Sequence, residues 1–166
     1  MLHTCLIFTF TGSACAAGAD NKRQTDNSKP APRFIDNANG TIKDNHTGLI
    51  WLKNADCFGI QTWDDSISLA SKLANGQCGL KDGSKTGQWR LPNREELASM
   101  NNRQQINNSE WLNSQGFSNV QSDLYWSSTG SDNSTNIAWC ADMNRGGVFD
   151  SGTNYSYHVW PVRGGD

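Results

Sequence analysis

Hydrophobic positions along this 166-residue chain come in short runs separated by turn residues. Leu2–Phe10 is apolar, and Gly12 to Ala19 is rich in small residues. The run is well short of the ~20 residues that span a bilayer. Ala14-Cys15-Ala16 and Ala17-Gly18-Ala19 fit small-x-small cleavage sites, so residues 1–19 are predicted to be an export signal peptide. Only His3 stands where a positive n-region is expected. Ser13-Ala14-Cys15 also resembles the end of a lipobox, with Gly12 in the Leu position, so lipid anchoring at Cys15 is the secondary expectation. Residues 20–32 are polar, contain Pro30 and Pro32, and show no periodicity, which reads as a linker.

From residue 33 onward the pattern predicts one folded domain, residues 33–166. Phe34-Ile35-Asp36, Thr41-Ile42-Lys43 and Leu49–Leu52 are predicted strands, joined by turns at Asn37–Gly40 and Asp44–Gly48. Asp44 suits the capture of turn amide hydrogens, and Gly48 a positive φ. Thr62 caps a predicted helix, with Asp65 at the third helical position. Trp63, Ile67, Ala70 and Ala74 share one face of it, with Leu69 and Leu73 beside them and Gly76 as the stop. Asn93-x-x-Glu96 opens a second helix, in which Leu97 and Met100 face inward. One short helical turn is expected around Trp111. Strands return at Leu124–Ser127, Ile137–Met143, Val148–Phe149 and Tyr157–Val162, with a hairpin turn at Arg145-Gly146-Gly147. Two helices segregated between strand runs predict an α+β, loop-rich domain, with helices packed on antiparallel sheets.

Composition sharpens this picture. Leu, Ile, Val and Phe supply only 29 of 166 residues, but there are seven Trp, so indoles replace the missing aliphatics in the core. Asn, Ser and Gly together number 51, and Asp outnumbers Glu 13 to 3, which favours turns and caps over long helices. The net charge of −2 leaves no excess to neutralise phosphates, so a nucleic-acid partner is not expected. No membrane span is expected either.

Once Cys5 and Cys15 leave with a signal peptide, Cys57, Cys78 and Cys140 remain. Cys57 and Cys78 flank the first helix, and a disulfide closing that loop would stabilise the fold by roughly 3 kcal/mol. Cys140 sits in an apolar strand and reads as a buried thiol. Paired CxxC spacing is absent, and His46 and His158 lie in different elements, so no metal or cofactor is expected. No catalytic constellation emerges: Glu95-Glu96 are adjacent on a helix, where side chains diverge by ~100°. Asp36-Asn37-x-Asn39-Gly40 lacks calcium-loop spacing and reads as turn chemistry. Asn-x-Ser/Thr sequons occur at Asn39, Asn45, Asn107, Asn133 and Asn154; turn chemistry accounts for them about as well as glycosylation.

One region invites a recognition role. Ser127 to Tyr157 is dense in Ser, Thr, Asn, Asp and Tyr, the side chains that adaptable binding loops use. Ordinary solvated loops explain that composition equally well.

An ordered series of motifs carries a resemblance: Asp44-x-x-Thr47-Gly48-Leu49-Ile50-Trp51, Cys57-Phe58-Gly59, Cys78-Gly79-Leu80-x-Asp82-Gly83-Ser84, Trp89-Arg90-Leu91-Pro92-x-Arg94-Glu95-Glu96-Leu97, Tyr125-Trp126-Ser127-Ser128 and Pro161-Val162-Arg163. Together they resemble the Lcl C-terminal domain family, the terminal domain of a collagen-like adhesin, over about residues 33–164. The resemblance implies a C-type-lectin-like fold, of the kind shared with formylglycine-generating enzymes, and a secreted, periplasmic or surface-attached module. Trp51, Trp89, Trp126 and Arg90 are read as scaffold.

The resemblance also suggests sulfated polysaccharides as ligands. Residues 33–166 carry 11 Lys and Arg against 14 Asp and Glu, so a polyanion would meet net repulsion without a local basic patch. Neutral glycan or extracellular protein is as plausible a partner. In such folds the C-terminal loops present ligands, which makes Asp132, Asn133, Asn136, Asn144, Arg145, Asp150, Asn154, Tyr155 and Tyr157 the candidate surface, with Trp139 a weaker candidate. The expected function is thus non-catalytic recognition. Alternatives are a structural domain that forms homo-oligomers and, further off, an oxidase, which would need two late cysteines where only Cys140 is present.

Overall fold

A computed structural model describes residues 31–164. The predicted signal peptide, the Cys15 anchor and the linker up to Pro30 lie outside the described residues. The order is β1 (Phe34–Asp36), β2 (Thr41–Asp44), β3 (Ile50–Leu52), β4 (Ile60–Gln61), α1 (Trp63–Lys72), α2 (Arg94–Ser99), α3 (Asn108–Ser114), β5 (Leu124–Ser131), β6 (Ser134–Asp142), β7 (Gly147–Gly152), β8 (Tyr157–His158) and β9 (Val162–Arg163). This is the α+β, loop-rich architecture expected. The helical turn expected near Trp111 extends to the seven residues of α3.

A four-stranded sheet runs β1-β2-β3-β9, antiparallel throughout. Its turns are held by their own side chains. In the β1–β2 turn the Asn39 amide oxygen accepts from the Thr41 backbone N–H (3.2 Å) and hydroxyl (2.7 Å). Gly40 follows with φ +85°, and a Cβ there would lie 2.4 Å from the Gly79 carbonyl oxygen, so only glycine fits. In the β2–β3 turn the fully buried Asp44 accepts the His46 N–H (2.9 Å) and a two-pronged contact from Arg33 (3.1 and 2.8 Å). Burial pushes the Asp44 carboxyl up, but the Arg33 and His46 hydrogen bonds outweigh it and hold the group below its ordinary value.

The second sheet has the order β4-β8-β5-β6-β7. It is antiparallel except where β5 meets β8 in parallel, at Tyr125 and His158. Both faces are covered, and strand alternation decides which side chain goes where. Tyr125, Ala141 and Val148 join the main core with Trp51, Trp89, Trp160 and Leu97. Trp126, Ala138 and Cys140 face the other way, onto Ala70, Leu91 and Val159. The indoles do replace aliphatic packing: Trp51, Trp89, Trp126 and Trp160 are among the largest fully buried side chains.

Three local expectations change. Tyr157–Val162 is two strands, β8 and β9, in different sheets. Pro161 has no N–H to give a ladder, and Val159, Trp160 and Pro161 are buried together between the sheets' strands. The two-residue β4 carries no pattern of its own. On α1, Thr62 is the cap and Ala70 turns inward as expected, but Ser66 is buried as well and Ile67 is exposed. The Ser66 hydroxyl is accommodated there by donating to the Thr62 carbonyl (2.7 Å). The helix also stops at Lys72, ahead of Gly76.

The Cys57–Cys78 disulfide forms, with a Cα–Cα distance of 5.7 Å. The Asn93–Glu96 capping box closes in both directions, and Glu96 also takes both arms of Arg90 (2.7 and 2.8 Å). Arg90 further donates to the Gly164 carbonyl, tying α2 to β9. No described helix is long and apolar enough to cross a membrane.

Candidate functional site

Eight of the nine candidate residues fall at two ends of the five-stranded sheet. Asp132 and Asn133 form the β5–β6 turn, Asn136 is the third residue of β6, and Asn154 and Tyr155 follow β7. The register Ile137↔Gly152 and the bond from Thr153 N–H to the Asn136 carbonyl (2.9 Å) bring these to one edge, the hairpin tip. Asn144 and Arg145 lie in the β6–β7 turn at the far end. Six residue steps along β6 carry the chain from Asn136 to Asp142, about 20 Å at ~3.3 Å per step. Asp150 sits between, opposite Trp139 on β7. The predicted surface is therefore two surfaces.

The tip is rigid beneath and polar above. The Tyr155 ring, 59% exposed, stacks nearly parallel to Tyr157 at 10° and 6.5 Å between centroids. Tyr157 packs on the buried Trp126 ring at 4.7 Å, and its hydroxyl meets the Ser151 hydroxyl at 2.8 Å. Trp126 donates its indole N–H to the Gln61 carbonyl. An aromatic series thus runs from core to solvent. The loop is pinned to α1 as well, where Trp63 N–H donates to the Thr153 carbonyl and its indole N–H to the Ser127 carbonyl. The side chains of Asp132, Asn133, Asn136 and Asn154 make no hydrogen bond within the described chain, and all four residues are exposed. Such an edge can stack a flat apolar surface and hydrogen-bond hydroxyls or amides around it.

The groups most suited to covalent chemistry are engaged elsewhere. Cys140 is buried and unpaired with another cysteine, and burial pushes its thiol up to about 11, so it is a neutral thiol at physiological pH. Among the described residues no group of three or more His, Cys, Asp and Glu is placed to hold a metal ion. Asp36 is spent on turn contacts, accepting the Ala38 N–H and the Lys53 ammonium.

Two pairings were invisible in the sequence. His158 Nδ1 lies 2.7 Å from the Asp56 carboxylate, 102 residues away, and its ring stacks against Tyr125. Arg94 lays its guanidinium over the Trp139 ring, 3.8 Å from the centroid. Neither pair has a local signal, because each is made by chain crossing between distant elements.

Fold and site together define a disulfide-linked, two-sheet α+β domain that presents polar loops at the ends of one sheet. Residues 40–163 match the Lcl C-terminal domain, and the chain belongs to that family. A search of curated proteins gives no match.

Proposed function

We propose that this domain is a non-catalytic, adhesin-like recognition module, exported to the periplasm, the cell surface or the medium, which binds glycan or extracellular protein at the hairpin tip. The observation that carries this reading is the Tyr155–Tyr157–Trp126 series. It holds an exposed aromatic face in a fixed orientation beside the unengaged side chains of Asn136 and Asn154. A pre-positioned ring loses little freedom on binding, and an amide beside it supplies directional hydrogen bonds. The C-type-lectin-like arrangement implied by the family resemblance, with ligands at the loops, supports the same placement. The Cys57–Cys78 disulfide supports an oxidising compartment. Asp132 near the tip favours neutral over polyanionic ligands there.

The test is a glycan and extracellular-protein array probed with the chain and with an Asn154→Ala/Tyr155→Ala double variant. The variant is expected to unfold within about 0.5 kcal/mol of the parent, since both side chains are exposed, and to lose ligand retention. Equal retention by the variant rejects the tip as the binding surface.

A further inference from the structure

The six described arginines divide into two sets of three. Arg33 is paired with Asp44 and Arg90 with Glu96; Arg163 stands 3.2 Å from Asp82, an ion pair off the axis of a hydrogen bond. Arg94, Arg103 and Arg145 have no carboxylate at ion-pair distance; Arg94 and Arg103 line one groove, and Arg145 lies in the turn next to its lining residues Gly146 and Gly147. That groove, of about 410 Å³, lies between α2 and the start of β7. Ala98, Asn101 and Val148 line it as well. Glu95 also lines the groove and offsets one positive charge.

β7 borders this groove and is an edge strand: among the described residues it pairs with β6 and with no strand on its other side. Its outer N–H and C=O groups are open to an added strand. Its two faces differ. Val148 is on the groove side, and Phe149, 51% exposed, is on the other. The stacking on Trp139 fixes the plane of the Arg94 guanidinium while its N–H groups bond no acceptor in the described chain. A flat, pre-oriented guanidinium is suited to two-pronged capture of a carboxylate.

We propose that the β7 edge and the α2 groove form a docking site for an extended acidic segment of a partner protein, whose main chain adds to β7. Alternate side chains of that segment are carboxylates facing Arg94, Arg103 and Arg145, and the intervening ones are apolar against Phe149. Asp150 shares the groove side two residues after Val148, so it limits the carboxylates to the turn end of the strand. This site is about 20 Å from the hairpin tip along β6 and stands or falls independently of the tip.

The probe is a fluorescein-labelled Glu-Val-Glu-Val-Glu-Val peptide, titrated into the full-length chain and followed by anisotropy. Saturable binding is expected, weakened at least tenfold by Arg94→Gln, by the Arg103→Gln/Arg145→Gln pair, and by methylating alternate backbone nitrogens of the peptide. Arg103 and Arg145 are exposed, so that pair keeps the test valid if Arg94→Gln fails to fold. The proposal is overturned if the peptide does not saturate, if the Arg103/Arg145 pair binds it as tightly as the parent, or if N-methylation leaves affinity unchanged. Dextran sulfate binding in the groove where the peptide does not bind would overturn it too, in favour of a sulfated polymer.

Discussion

The turns of the four-stranded sheet and those at the tip of the five-stranded sheet are made from the same residues, Asn, Asp, Ser and Gly. They use them in opposite ways. Asn39, Asp44 and Gly40 are turned into the fold, where an amide, a buried carboxylate and a missing side chain each meet a specific neighbour. Asp132, Asn133 and Asn154 are turned out and meet none within the described chain. The same polar group is worth about 1 kcal/mol of stability in the first setting and close to nothing in the second, where it is left free for a ligand. Composition cannot tell the two apart; the partner does.

That contrast is sharpest at Gly40. Gly40→Ala combines a left-handed backbone with a clash against the Gly79 carbonyl, and a loss of about 3 kcal/mol or more is expected in urea unfolding. Reducing Cys57–Cys78 should cost about 3 kcal/mol, read by urea titration with and without dithiothreitol.

Asp44→Asn is expected to cost about 2 kcal/mol at pH 7. Because the Asp44 pKa is lowered from 3.8 on folding, its contribution is whole above that value and is lost as pH falls through the lower folded one. The parent's urea midpoint should therefore drop below pH 4 more steeply than that of Asp44→Asn. At the small end, Asn39→Ala should cost about 1 kcal/mol and Asn154→Ala under about 0.5 kcal/mol. Equal losses at Asn39 and Asn154 would erase the distinction between the two kinds of turn.

Much of the framework was legible in the sequence because it is local. The Thr62 and Asn93 caps, the β1–β2–β3 meander and the β6–β7 turn, which closes one residue ahead of Gly147, each depend on residues a few positions apart. The inward face of α1 differs from the pattern because hydrophobicity favours Ile67 over Ser66, whereas the fold buries Ser66, whose hydroxyl is satisfied by the Thr62 carbonyl, and Ala70, which packs in the cluster with Trp126. The division of Tyr157–Val162 was hidden because an unbroken apolar run reads as one strand whichever sheet each end joins. For the candidate surface, the loops were identifiable but not their grouping. A sequence lists Asn144 and Asn154 ten residues apart and says nothing of a strand that carries them to opposite ends.

β9 is the last element of the fold, and it completes the sheet that the first three strands begin. Val162 exchanges backbone bonds with Arg90, and Pro161 accepts the Leu52 N–H, so the β1–β2–β3 meander gains its fourth strand from beyond the whole second sheet in sequence. Deleting β9 would therefore unbuckle the domain rather than trim a tail: β3 would lose its second neighbour and Arg90 both of its backbone bonds to Val162.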